Sequence, residues 1–248
     1  MGLKIKIGVL FVLLLSLTGY AQEDTHIVDS LRSVLPTQEG REKVLTMIEL
    51  TWEFYDISYD DCLDWGEKAI KEAQNLGLKD LEAKANYVLG IQYAYHGDLD
   101  LAKEYLSQAY SHFTLLGDTK NAFESLWNLA TYEMTLGSID TAYAVYEDAL
   151  ALAKQMNDTS AYAYVISNMG LIWYKRDNPE MSLRYNSEAK ALFEAIDDAS
   201  GCAACSPTSP SFIWKEAVTT RQEASIGAFC LDLKPMATTT IPFLPARI

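Results

Sequence analysis

The stretch at residues 89–110, LGIQYAYHGDLDLAKEYLSQAY, carries the pattern that decides the fold. Within it a small residue, Gly90, is followed twelve positions later by Ala102 and seven after that by Ala109. Forty residues on, LATYEMTLGSIDTAYAVYEDAL repeats the spacing with Ala130, Ala142 and Ala149. Forty further, MGLIWYKRDNPEMSLRYNSEAK repeats it again with Gly170, Ser182 and Ala189. A weaker first copy has Leu50, Cys62 and Ala69, so Ala69, Ala109, Ala149 and Ala189 form an unbroken series. Self-similarity at a fixed period of this length marks a repeat architecture.

Each unit reads as two amphipathic helices, with apolar residues at three- and four-residue intervals. Turns separate the two helices at Gly97-Asp98, at Gly137-Ser138, and at Asp177-Asn178 before Pro179. Glycine and asparagine tolerate the left-handed backbone that ends a helix, and proline suits the first turn of the next. Leu116-Gly117-Asp118 and Met156-Asn157-Asp158 supply turns between units. Small residues at the series positions let helices approach closely where they cross, and Leu89, Leu129 and Met169 fill the space beside them. A single helix pair cannot bury its apolar face, whereas stacked pairs can. The fold class expected is all-α.

The run of a large apolar residue, a small one, an aromatic, Gly-Asp and spaced alanines resembles the tetratricopeptide repeat (TPR) family. Leu89, Gly90, Tyr93, Gly97, Ala102 and Ala109 match its pattern, as do Leu129, Ala130, Gly137, Ala142, Tyr146 and Ala149. The resemblance implies a right-handed α-solenoid of stacked antiparallel helix pairs, in about four 40-residue units. These are expected at about 42–80, 81–120, 121–160 and 161–200, after a leader at 22–41 that holds a short helix. The unit is longer than the commoner TPR length, and the first lacks a glycine turn, having Ile57-Ser58 there. Exported arrays of this long-unit kind are similar to the sensory regions of bacterial membrane histidine kinases, which makes a truncated sensor one expectation.

By the same resemblance, the first helix of each pair lines a concave face. Residues on those helices not needed for packing are Phe54, Tyr55, Tyr87, Tyr95, Trp127, Asn128, Met134, Tyr164, Asn168, Tyr174 and Lys175. Tyrosine and tryptophan give large rigid contact area with one polar handle. Asn128 and Asn168, one repeat apart, can bond a peptide backbone with both donor and acceptor. Any single aromatic among these could equally pack between units. A subset of the family clamps a C-terminal carboxylate with several basic side chains. Here only Lys175, Arg176 and Lys84 are candidates, so the groove is expected to suit a basic or apolar segment instead.

The first 21 residues read as a secretory signal peptide: Lys4 and Lys6, an apolar run at 7–17, then Gly19 and Ala21 before cleavage at Gln22. The run is shorter than the roughly 20 residues that span a bilayer, so no stable membrane insertion is expected after cleavage. Export to the periplasm or the exterior follows. The net charge is −14, concentrated in 22–200, since the segments on either side are each net positive. Such a field repels phosphate backbones and anionic headgroups, which disfavours nucleic acid as a partner.

Cys202 and Cys205 have a spacing that permits a redox pair or half a zinc site, but His26, His96 and His112 all lie far upstream. Acidic pairs such as Asp60-Asp61 and Asp197-Asp198 sit at turns and helix ends, where they cap or face water. There is no nucleophile elbow, phosphate-binding glycine loop or metal-ligand helix pair. No catalytic residue, metal or cofactor is therefore expected.

Beyond Ser200 the composition changes: five of the seven prolines (Pro207, Pro210, Pro235, Pro242, Pro245) and three of the four cysteines fall in 201–248. Pro210 stands where a fifth repeat would need a small helical residue, and proline in a helix interior costs about 3 kcal/mol. Residues 201–248 thus read as an irregular or disordered tail, either a flexible extension or the product of a shifted reading frame. The expected function is a non-catalytic protein- or peptide-binding module of the cell envelope. A structural envelope scaffold, or an envelope enzyme with a site across repeats, is the alternative.

Overall fold

The structure is a computed structural model that describes residues 26–55 and 57–205. The signal segment at 1–21, with nearly all of the tail, lies outside the described residues. Helical residues at 26–34 (α1) lead into a short 3-10 turn at Leu35–Thr37. There follow α2 (Gly40–Glu53), α3 (Tyr59–Asn75), α4 (Lys79–Tyr95), α5 (Leu99–Leu116), α6 (Thr119–Thr135), α7 (Ile139–Met156), α8 (Thr159–Lys175), α9 (Pro179–Ala195) and α10 (Ala199–Ala204). No strand occurs among the described residues. The fold is all-α, built of adjacent antiparallel helix pairs of the TPR-like kind. None of the described helices is long and apolar enough to cross a membrane.

The chain divides into two compact units, the division falling between Gln92 and Tyr93 inside α4. In the first unit, Val28 of α1 joins Leu50, Phe54 and Cys62 in one apolar cluster. The Cys62 thiol donates to the Thr51 carbonyl at 3.1 Å, and burial pushes it up to about 12. Gly66 is where α3 approaches α4: a Cβ there would stand 2.7 Å from Leu89 Cδ1. Lys43 pairs with Glu72 at 2.9 Å, tying α2 to α3.

In the second unit α5 to α10 pack in sequence order, each on the next. Its core holds Leu126, Ala130, Ala142, Tyr146, Ala149, Val165, Met169 and Ile172. Ala69, Ala109, Ala149 and Ala189 are all fully buried, as are Cys62, Ala102 and Ala142. The forty-residue series thus marks the helix crossings, where any larger side chain would force the helices apart.

The turns follow from local chemistry. Gly97, Gly117, Gly137, Asn157 and Asp177 each adopt a left-handed backbone just past a helix. The next residue donates its N–H back to the helix, as Asp118 does to Phe113 O at 2.9 Å and Asn178 to Trp173 O at 3.0 Å. These bonds satisfy carbonyls that the helix itself leaves open. Asp118, Asp158 and Asn178 then cap the following helices by accepting from the main-chain N–H three residues on. In the first unit Ser58 caps α3 in the same way, through Asp61 N, and Gly77 has the same left-handed turn after α3.

α10 crosses position 200, where the change of composition put the end of the array. The local signal lies upstream of that change. Asp198 continues the cap series of Asp118 and Asp158, accepting from Gly201 N at 2.9 Å. The repeat register therefore runs on to Ala204, short of the prolines.

Candidate ligand-binding face

The first helices of the second unit's pairs are α6 and α8, and two contacts orient α6. Thr131 Oγ1 lies 2.9 Å from Tyr146 Oη of α7, and Glu133 is ion-paired to Lys103 of α5. Between those flanks Ala130, Met134 and Leu126 face the core. At 100° per residue, Asn128 stands about 160° round the helix from Ala130, whereas Glu124 lies about 20° from Thr131, on the side that meets α7. One repeat on, Tyr164 and Asn168 take the same positions on α8.

The structure separates the residues expected on the concave face into three groups. Trp127 and Met134 belong to the core cluster, because their bulk fills the volume that the neighbouring alanines leave. Tyr87 and Phe54 are likewise buried in the first unit, where the Arg32 guanidinium sits 4.7 Å from the Phe54 ring centre. For these four, packing is the observed role. Tyr55 and Tyr95 are half-buried, and burial raises the Tyr95 phenol.

Tyr164 serves the fold as well. Its hydroxyl donates to Asp198 Oδ2 at 3.0 Å, and its ring meets Phe193 edge-on at 4.7 Å. It therefore binds α8 to both α9 and the start of α10. Asn128 and Asn168 retain small exposures of 8% and 6%. The Asn128 amide donates to the main-chain oxygen of Glu124 at 2.9 Å, one turn back. Tyr174 is the exposed aromatic of the set, at 40%, and Lys175 beside it is half-buried.

Arg176, weighed as part of a carboxylate clamp, is engaged elsewhere. It pairs with Asp140 and lies over the rings of Tyr143 (4.8 Å) and Trp173 (5.0 Å). Those two rings meet edge to face at 5.9 Å. A guanidinium stacked on two rings and paired to a carboxylate fastens α8 to α7. A hydrogen bond between Tyr143 and Tyr185, together with partial burial, pushes the Tyr143 phenol up to about 12.

One buried acid of α6, Glu124, is not among the residues that the sequence singles out. Glu124 is 2% exposed, and its Oε2 accepts no hydrogen bond. Burial raises its carboxyl above the ordinary value, partly opposed by Lys120 one turn earlier. The signal was present in FESLWNLA, where a lone acidic residue sits in an otherwise apolar or neutral stretch one turn before Asn128.

No sequence-family model matches the chain, and no curated protein matches it. Solved structures do. Aspartyl phosphate phosphatase F from Bacillus subtilis superimposes with a TM-score of 0.66 at 13% identity, over 80% of this chain and 56% of that one. The chain thus spans little more than half of that protein's length. The nearly identical TPR-like repeats of a Podosopora anserina kinesin light chain give a TM-score of 0.61 at 12% identity, over 73% of this chain and 91% of that one. A Rap protein complexed with competence and sporulation factor gives 0.56 at 15% identity, over 79% and 57%. At these identities the likeness concerns the fold, which is TPR-like.

Proposed function

We propose that the chain is a non-catalytic module that binds a protein or peptide partner in the cell envelope. The observation that carries this reading is the pair Asn128 and Asn168. They sit one repeat apart at the same position of α6 and α8 and are barely exposed. A row of amides at the repeat spacing suits an extended backbone, which presents donors and acceptors at regular intervals. A protein of similar fold, a Rap protein, is complexed with competence and sporulation factor, which supports this reading. Envelope location is supported by the basic, apolar and small-residue succession over 1–21. The finer reading, a sensory region that passes a binding event to a signalling output, rests on the family resemblance.

The test is capture from envelope extract with the full chain as bait, comparing wild type with Asn168→Ala and Tyr174→Ala. Loss of the same partner in both variants supports the reading. Undiminished capture by both would overturn it. Trp127→Ala is unsuitable as a control, since it empties part of the core.

A further inference from the structure

Each first helix of the second unit packs on the pair before it, and α10 leaves that packing half made. α10 is 6 residues long where α6 and α8 have 17 each, so it covers only the first part of the α8–α9 face. Matched positions one repeat apart show the consequence. Tyr143 of α7 is half-buried and meets Trp173 of the following first helix edge-on at 5.9 Å. Its counterpart on α9, Leu183, is 66% exposed. Met134 of α6 is 7% exposed, whereas Tyr174, its counterpart on α8, is 40% exposed. Leu183 is therefore no incidental surface leucine, since the repeat fills that position from the next unit.

The chain leaves α10 in the direction of this open end. Asp198, before α10, accepts the Tyr164 hydroxyl at 3.0 Å, and Cys205, after it, has its Sγ 3.8 Å from Ser167 Oγ. α10 thus runs the same way as α8, with Tyr174 about 10 Å further along α8 from Ser167. A Cβ on Gly170 would stand 3.0 Å from the Asn186 amide, so Leu183, one turn before Asn186, lies level with that end of α8.

The sequence after Cys205 supplies apolar groups within reach. Pro207 and Pro210 stop the helix from continuing, and Phe212, Ile213 and Trp214 follow as an apolar triplet, with Lys215 next. Trp214 is nine residues past Cys205, a length that extends to about 30 Å, well beyond the distance required. Tethering also gives the triplet a millimolar effective concentration at this face. A second copy is the weaker occupant, because the net charge of −14 makes two chains repel, whereas 201–248 is net positive.

We propose that Phe212, Ile213 and Trp214 fold back onto Leu183 and close the open end of the array. The triplet stands in for the missing part of the fifth first helix. Trp214 supplies the bulk and Lys215 remains at the acidic surface.

The experiment is limited chymotrypsin digestion of the full chain at neutral pH, with cleavage after Phe212 and Trp214 read by mass spectrometry. A synthetic peptide of residues 206–218 gives the rate of the same bonds with nothing covering them. A docked segment is cut only from its minor undocked population, so wild type is expected to be cut at least about tenfold more slowly than the peptide. Leu183→Lys sets a charge against the triplet and against Lys215, and is expected to raise the rate to the peptide's. Leu183 is exposed, so this change spares the core. Leu115→Lys, at an 85% exposed position of α5, is expected to keep the wild-type rate. Cleavage of wild type as fast as the peptide would overturn the proposal, and that comparison needs no variant. Equal protection in wild type and Leu183→Lys would also overturn it, as would equal loss of protection in both lysine variants. A dimer in sedimentation velocity that Leu183→Lys dissociates would assign the face to a second copy instead.

Discussion

Tyr146 and Thr131 meet through their hydroxyls, 2.9 Å apart, and this contact joins the two helices of one repeat at its core. The Thr131 proton is committed to the Trp127 carbonyl at 2.9 Å, so Tyr146 must be the donor between them. Tyr146 is fully buried, and the bond lets a large side chain carry its polar tip into the interior. Tyr146→Phe keeps the ring and removes the bond. The expected loss is about 1 kcal/mol, because Thr131 keeps its other partner and no donor is stranded. Tyr146→Ala, which also opens a cavity, should cost about 3–5 kcal/mol. Urea unfolding of the two variants checks the ratio.

Gly137 has φ +81°, and a Cβ placed on it meets nothing within 4 Å. Its constraint is therefore purely of the backbone. Gly137→Ala should destabilise by roughly 1–2 kcal/mol through left-handed strain alone, with the structure otherwise unchanged. Asn157 holds the equivalent conformation after α7 with φ +53°, so Asn157→Gly should be neutral or slightly stabilising. A thermal melt in which both variants lose stability equally would contradict this account.

The repeat was legible in the sequence because helix crossings restrict side-chain size, and a restriction repeated every forty residues leaves a visible series. Ala69, Ala109, Ala149 and Ala189 therefore located the pairs without any structure. Which bulky residues pack inward is less legible. Helical spacing shows which residues share a stripe, but not how much volume the opposing helix leaves open. Trp127 and Met134 were thus expected on the open face, while the small residues of α7 leave room for them in the core. Tyr164 was expected to bind ligand, but its acceptor, Asp198, lies 34 residues away, a pairing that no local pattern announces. Glu124 was overlooked because a lone acid on an amphipathic helix usually faces water, and its burial depends on neighbours contributed from elsewhere in the chain.

Glu124 should also make stability depend on pH. Burial raises its folded carboxyl above the ordinary value near 4.5, so the folded state holds the proton more tightly than the unfolded chain. Stability from this group is fully present below the unfolded value and is lost as pH rises through the folded one. Glu124→Gln removes the ionisation. The variant should be more stable than wild type at neutral pH, by on the order of 1 kcal/mol, and the advantage should vanish below about pH 4.5. Denaturant midpoints measured across that range test it. An advantage that persists unchanged into acid would mean that the side chain's shape, and not its charge, is at issue.

Asp198 serves two elements at once, since Oδ1 caps α10 through Gly201 N while Oδ2 accepts the Tyr164 hydroxyl. The two roles can be separated by substitution. Asp198→Asn keeps an oxygen for the cap but presents an amide to Tyr164, and asparagine caps helices about as well as aspartate. Asp198→Ala removes both. The alanine variant should lose about 1–2 kcal/mol at the α9–α10 junction, most of it from the cap. Hydrogen exchange is the informative measurement, because α10 is short and its amides should open locally well before the chain unfolds. In the alanine variant the amides of Gly201 and Cys202 should exchange faster, and those of α6 and α7 should not change. Tyr164→Phe should leave the α10 amides protected, because the cap through Oδ1 survives. Equal loss of protection in Asp198→Ala and Tyr164→Phe would show that the Tyr164 bond, and not the cap, holds α10 in place.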